Sequence, residues 1–406
     1  MPFIAAYSSK LPGGGTFSID TKGITLQTVE DTAKLRIGGR LQFDASAASL
    51  QPRSIGPALT DNLLIRRAYF ESYLTLFDSV EAAFQYDFAN QTQPIQDAAL
   101  AYRGLNHVIL SIGNVKEPFG LDQLRGDNTT TFAERALTNA LFPSRNFGGV
   151  IGTFGDRWTA TAGVFGNNAN LGIGDNGVAG TARVTYAPLL TQDQVLHFGV
   201  AGSYRALDPG LTNFSISSRP EDNSFARTLV STGTLANAQD VSRFGVETIY
   251  QLRSYRITGE YAFADVGGVT PSASIAGQKG DRFFQSGYVE GAWVVNGDGR
   301  PYRIAPTYGS EFGVLGGVEI DDAQRVSRGG YGVFEVAARY SELDLQSGST
   351  NGGRQQDITA GVNWYPDRNI RVVANYIHGH GDPAPTALKV TTTDSDAFVG
   401  RLQISW

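Results

Sequence analysis

Apolar residues recur at every second position along most of this chain, in segments of about ten residues, which is the period of a strand and not of a helix. Leu35, Ile37, Leu41 and Phe43 alternate with Arg36, Arg40, Gln42 and Asp44, with Gly38 and Gly39 between them. The pattern returns at Leu196, Phe198, Val200 and Tyr204 against His197, Ser203 and Arg205, and at Phe244, Val246 and Tyr250 against Arg243, Glu247 and Gln251. Tyr255, Ile257, Tyr261 and Phe263 oppose Arg256, Thr258 and Glu260, and Phe334, Val336, Ala338 and Tyr340 oppose Glu335 and Arg339. It runs to the last residue, where Phe398, Leu402, Ile404 and Trp406 oppose Arg401, Gln403 and Ser405. A tilted strand of about ten residues is long enough to cross a bilayer.

Composition favours membrane strands over a soluble core. Charged residues are 18 % of the chain, below the roughly 25 % of soluble domains. Aromatics reach 11 %, yet mean hydropathy is only -0.18. Strands with one face on lipid and one on water give that average, because the two faces cancel. No run approaches the roughly 18 apolar residues of a membrane helix, so any span is a strand. The absence of cysteine excludes thiolate metal sites, disulfides and thiol nucleophiles. A formal charge of -6 and a pI near 5.3 argue against a nucleic-acid partner, which needs a basic face. Met1 to Lys10 carries no basic segment followed by an apolar core, so no export signal is visible there, and a mature exported form is expected.

These features predict an all-β fold: a transmembrane antiparallel β-barrel of about sixteen strands over residues 34–406, preceded by an unassigned, Gly-rich extension over residues 1–33. A sandwich or propeller also alternates, but no repeat of about 40 to 50 residues appears. Tight turns are expected near Asp78–Ser79, Gly104–Asn106, Gly155–Arg157, Arg253–Ser254 and Pro366–Arg368. They interleave with long polar connections at Ala45–Asn62, Lys116–Phe147, Leu207–Asp240 and Ala264–Asp281, which puts the short turns on the periplasmic side. Asn296 to Gly330 is long where a short turn is due, so either the strand count slips there or the periplasmic rim carries an insertion. The aromatic last residue, on the apolar side of its strand, resembles the terminal signal read by outer-membrane assembly machinery.

Several longer stretches name a family. Arg66 to Tyr69 (RRAY), Gly113 to Leu121 (GNVKEPFGL), Glu134 to Ala136 and Pro143 to Asn146 resemble the phosphate- and polyphosphate-selective porins. So do Trp158 to Phe165 (WTATAGVF), Gly329 to Leu345 and Gly361 to Tyr376, all in the family's order. The resemblance implies a homotrimer in the Gram-negative outer membrane, with no cofactor. Its third external loop, here residues 116–147, would fold inward and constrict the lumen, and small anionic solutes would pass a ladder of basic side chains. Arg66, Arg67 and Tyr69 map onto the family's constriction arginines and aromatic neighbour, and Arg135 onto the arginine of the inserted loop. Where phosphate-selective members place lysines beside the constriction, this chain carries Glu81 and Gln123, which leaves a weakly selective or organic-solute porin as the alternative.

Parity assigns the remaining pore residues. Glu71 cannot face lipid without a cost of a few kcal/mol, so its strand turns Arg67 and Tyr69 inward. Arg66 then has the wrong parity and is expected at a strand end. The same rule turns Arg36, Arg40, Arg103, Arg183, Arg205, Arg243, Arg256, Arg339, Arg371 and Arg401 inward, with Arg125 and Arg135 supplied by the loop. Guanidinium suits the transfer of phosphate or carboxylate from one bidentate contact to the next. Asp44, Glu81, Asp87, Asp97, Glu247, Glu260 and Glu335 face the same way, and pairing with them is as good a reading for any one arginine. His378 and His380, one residue apart in a Gly-rich segment, have a spacing that could hold a metal, but with no further ligand nearby they read as solvated loop residues and no metal is expected. No catalytic elbow or phosphate-cradling loop is present, so a barrel enzyme or adhesin is the remote alternative.

Overall fold

The computed structural model describes residues 7–30, 32–51, 60–171, 177–209, 214–225, 227–270, 280–383 and 392–406. Three short strands come first: β1 (Tyr7–Lys10), β2 (Thr16–Asp20) and β3 (Gly23–Gln27). They form a meander whose last strand pairs with the beginning of β4 (Ala33–Gln51), Ile24 opposite Ile37. The extension is therefore a small sheet continuing the barrel wall at the end that carries the tight turns. The wall goes on through β5 (Thr60–Leu76), β6 (Val80–Asp87), β7 (Ile95–Leu105), β8 (Val108–Lys116), β9 (Arg145–Phe154), β10 (Trp158–Phe165), β11 (Val178–Leu190) and β12 (Gln194–Ala206). A connection holding the two-residue strands β13 (Ser217–Ser218) and β14 (Val230–Ser231) leads to β15 (Asp240–Leu252), β16 (Tyr255–Val269) and β17 (Gly280–Val294). After β18 (Tyr302–Arg303) and β19 (Val314–Leu315) the wall resumes with β20 (Val333–Ser347), β21 (Thr350–Asp367), β22 (Ile370–Pro383) and β23 (Thr393–Ser405).

Successive wall strands pair antiparallel, and β23 returns to β4, which closes a ring of sixteen. Closure needs glycine: Gly39 exchanges backbone hydrogen bonds with Trp406 at 2.9 and 3.0 Å. A side chain on Gly38 or Gly39 would run into the Trp406 carbonyl or indole. The turn from β5 to β6 holds Phe77 and Asp78 at left-handed φ of 51° and 54°, as a type I′ turn that matches strand twist requires. The expected long segment Ala45–Asn62 is mostly β4 and β5, and its residues 52–59 lie outside the described set. One outer connection is unexpectedly tight, with only residues 348–349 between β20 and β21.

Burial is inverted relative to a soluble protein. Phe43, Leu63, Ile65, Val184, Phe198, Val246, Ile257 and Phe398 are exposed, while Arg40, Gln42, Asp44, Arg67, Arg183 and Glu247 are buried. That is the signature of lipid outside and a polar, filled lumen inside. All four tryptophans, Trp158, Trp293, Trp364 and Trp406, stand at the tight-turn end, where Tyr255 stacks on Trp293 at 5.5 Å and Phe334 on Trp364 at 6.1 Å. Tyr and Phe form the opposite girdle, as in the Tyr376–Phe398 pair at 4.9 Å.

The strand count holds, so the segment from Val295 to Gly332 is an insertion on the tight-turn side. It turns up into the barrel instead of hanging below it. Tyr308 Oη donates to Asp97 at 2.9 Å, Gly309 N to Ser111 Oγ at 3.0 Å and Ser310 Oγ to the Lys116 carbonyl at 2.6 Å.

Candidate functional site

Three connections fill most of the lumen and leave two cavities along one wall. The segment between β8 and β9 lies against strands on the far side of the ring. Glu260 on β16 accepts from the Leu121 and Asp122 amides at 2.8 and 2.6 Å, Asn375 on β22 accepts from Ala133 N at 2.8 Å, and Asn363 on β21 donates to the Thr131 carbonyl at 2.8 Å. Phe119, Leu137, Leu141 and Phe142 of this loop pack with Ile216 and Val230 of the following long connection. Their partners on the wall are the inward apolar residues Val241, Val266, Phe284 and Leu343. An apolar core thus occupies the β15–β20 side. The polar side, along β4 to β8, keeps two cavities.

The outer cavity, of about 460 Å³, is lined by Arg66, Arg67, Arg135 and Arg219 together with Glu134, Glu221 and Asp222. The inner one, of about 510 Å³, is lined by Arg36, Arg40, Lys116, Arg145 and Arg303 together with Glu71, Asp97, Asp127 and Glu311. Between them stands Asp127 of the inserted loop. One of its carboxylate oxygens lies 2.5 Å from Arg40 Nη1 and the other 2.6 Å from Arg67 Nε. Arg40 also pairs with Glu71 at 2.9 Å and lies 4.3 Å over the buried Tyr69 ring. Burial alone would raise the Asp127 pKa; Arg40, Arg67, Arg135 and Arg145 outweigh it and hold the carboxyl well below the usual carboxylate range.

Arg66 sits in mid-strand, not at a strand end. On β4 the neighbours Gln42 and Phe43 face Arg67 and Ile65, so Arg66 is the extra residue of a β-bulge. The bulge lets consecutive arginines face inward: Arg67 meets Asp127 and Gln42, and Arg66 holds both oxygens of Glu134 at 2.7 and 3.0 Å. Glu134 is likewise held low: burial would raise it, but Arg66, Arg401 and Arg67 dominate.

The other expected pore residues divide. Arg36 lines the inner cavity, 4.3 Å over the Tyr73 ring. Arg135 lines the outer one while donating to the Asp122 and Arg125 carbonyls at 2.8 Å each. Arg125 is not in either cavity: it is 1 % exposed and donates to the Thr129 carbonyl of its own loop. Burial, with help from Arg300, pulls its pKa down to about 10. Four more arginines brace the filled side. Arg205 pairs with Glu117 at 2.6 Å and Arg256 with Glu290 at 2.8 Å. Arg243 Nε donates to the Leu141 carbonyl at 2.8 Å, and Arg339 Nε to Glu221 at 3.0 Å. Glu81 faces Thr75 near the periplasmic turn, far from the Asp127 level, and Gln123 is buried within the loop. His378 and His380 lie within β22, not in a loop, each against a carboxylate of β23: Asp396 at 2.9 Å and Asp394 at 2.7 Å. Arg145 opens β9 within the Pro143 to Asn146 motif, while Arg219 and Arg303 sit in connections with no alternation to place them.

A closed sixteen-stranded ring with a polar, arginine-rich interior, an apolar exterior and aromatic girdles defines a porin of the Gram-negative outer membrane. The chain belongs to the family described as phosphate-selective porin O and P, which matches residues 35–406. It is 24 % identical to Porin O of Pseudomonas aeruginosa over 432 aligned positions, covering 96 % of this chain and 92 % of that protein. An uncharacterized protein of Caulobacter vibrioides is also 24 % identical, over 90 % of this chain and 72 % of that one. Among solved structures, an anion-selective porin from Comamonas acidovorans superposes with a TM-score of 0.57 at 11 % identity, covering 92 % of this chain and all of that one. The outer membrane channel DcaP of Acinetobacter baumannii gives 0.53 at 12 % identity, over 92 % and 97 %. These likenesses show the fold.

Proposed function

We propose that this porin carries small anionic solutes by passive diffusion, with phosphate-like and carboxylate groups as its preferred cargo. The observation that carries the reading is the Arg40–Asp127–Arg67 bridge at the border of the two cavities, where Arg135 and Arg145 add to the positive field. Arg40, Arg67, Arg135 and Arg145 against Asp127, Glu71 and Asp97 leave a small positive excess at this level, which favours an anion over a cation. A guanidinium keeps its charge at any accessible pH and offers several donors in one plane, so successive arginines can exchange one anion without releasing it to water.

The near balance of charge within each cavity supports a second reading, a weakly selective or organic-solute porin. Reversal potentials of the purified protein in a potassium chloride gradient test the first reading; cation preference overturns it. Phosphate blocking chloride current at low concentration sets the second aside.

A recess on the outer wall supports the expected homotrimer. Ala45, Ala47, Ala360, Ala374 and Gly400 share an outward recess of about 980 Å³, where bulky side chains stand elsewhere. Small residues let two backbones approach closely in lipid. We assign this face of β4 and β21–β23 to the contact within a homotrimer; a trimer form is among the solved Vibrio cholerae OmpT neighbours.

A further inference from the structure

We propose that Asp127 is a tethered counter-anion: its carboxylate occupies the place a solute anion takes between Arg67 and Arg40, and it swings aside each time an anion passes from the outer cavity to the inner one. The inference rests on the anion reading above and adds the residue that sets affinity and throughput.

Position is the first argument. Along β5 the order from outside inward is Arg66, Arg67, Tyr69, Glu71 and Tyr73; the first two line the outer cavity and the last two the inner one. On β4, which runs the other way, Arg40 lines the inner cavity. The Arg67–Asp127–Arg40 bridge therefore stands at the border between the two spaces.

Chemistry is the second. Each Asp127 oxygen takes one guanidinium, at 2.5 and 2.6 Å, as a free carboxylate or phosphate caught between two arginines would. Arg40 keeps a further donor, Nε, that makes no hydrogen bond to the described residues.

Tethering is the third. Among the described contacts the Asp127 carboxylate is ion-paired with these two guanidiniums alone, with no backbone amide or hydroxyl to hold it, and Gly126 precedes it. Glu134 differs, since it clamps Arg66 with both oxygens and also takes Arg401 at 2.7 Å. A side chain on a short tether competes at an effective concentration of millimolar order. A solute sees its apparent affinity reduced by the fraction of time the site is free. Asp127 would thus keep the arginines from holding an anion so tightly that it stops moving, since conduction needs weak enough binding to leave.

The test compares Asp127→Asn with Glu134→Gln, which removes the same charge from the same loop, in planar bilayers. Both are read by the phosphate concentration that halves chloride current. We expect Asp127→Asn to lower that concentration at least about threefold, and Glu134→Gln to lower it by clearly less. An unchanged or raised value in Asp127→Asn overturns the proposal, and so does an equal effect in both variants, which would reduce it to net charge. Asp127→Ser is the second variant. If neither Asp127 variant assembles while Glu134→Gln does, Asp127 is a structural bridge and the proposal falls. Wild-type cation preference would instead defeat the anion reading itself.

Discussion

Lys116 and Glu311, 195 positions apart in sequence, meet inside the barrel with Nζ 2.6 Å from the carboxylate. The same ammonium donates to the Leu124 and Arg125 carbonyls at 2.9 and 3.0 Å. One side chain thus ties the end of β8, the inserted loop and the periplasmic insertion into a single body. Lys116→Met takes the ammonium from the Leu124 carbonyl and from Glu311 and leaves the Arg125 carbonyl to Arg135 alone, at about 1–3 kcal/mol. We expect a lower apparent melting temperature and noisier single-channel current. Unaltered noise and melting would mean that the loop and the insertion are held elsewhere.

Acid should leave the passage intact over a wide range. Asp127 and Glu134 are both held below the ordinary carboxylate values by their arginines. A depressed pKa stabilises the folded state above the unfolded value, near pH 4, and that contribution is lost as pH falls through the folded value. Conductance and anion preference should therefore be flat from pH 8 to about 5, with loop release only in stronger acid. A step in reversal potential near pH 6 would contradict this ion-pair scheme.

Arginines at the cavity border and arginines in the braced half should respond differently. Arg67→Gln removes a charge from the Asp127 level, and anion preference should fall several-fold in the reversal-potential assay. Arg205→Gln leaves the buried Glu117 with Asn146 and Thr181 but without its charged partner, at a cost on the order of 3 kcal/mol. It should lower thermal stability while moving the reversal potential little. Equal selectivity losses would place the selective level elsewhere.

The ring was legible because alternation survives averaging. Each wall strand needs only the right side for its apolar residues, and a one-residue error would put every charge into lipid. Depth and pairing were not legible. Parity turns Arg67, Arg205 and Arg256 inward alike, but only the folded connections decide that Arg67 borders open space while Arg205 and Arg256 lie against carboxylates on the filled side. Val241 and Phe284 face inward although apolar, because connections from elsewhere in sequence cover them. The length of the insertion was visible, whereas its turn into the lumen rests on hydrogen bonds from Tyr308 to Ser310, for which sequence has no period.

The small-residue face carries its own test. Ala360→Trp would put a bulky side chain into the outward recess while keeping an apolar side chain toward lipid. The barrel should still assemble, since nothing inside it changes. Trimers should dissociate to folded monomers at lower temperature on semi-native gels. Trimers as robust as wild type would move the contact to another face.

Arg66 offers a sharper probe of how two adjacent arginines come to face the lumen. As the extra residue of a bulge, it can be deleted without changing the side on which any other β5 residue stands: Ile65 remains outward, Arg67 remains inward, and Phe43 and Gln42 keep their partners. What is lost is the pair of hydrogen bonds to Glu134. The deletion variant should therefore fold into a heat-modifiable barrel. Its anion preference should fall less than that of Arg67→Gln, because Glu134 keeps Arg401 and the Asp127 bridge is untouched. Were the strand a regular one, the same deletion would send Leu64 and Asn62 across the wall, and assembly would fail. Yield of folded barrel after deletion thus separates a bulge from a regular strand.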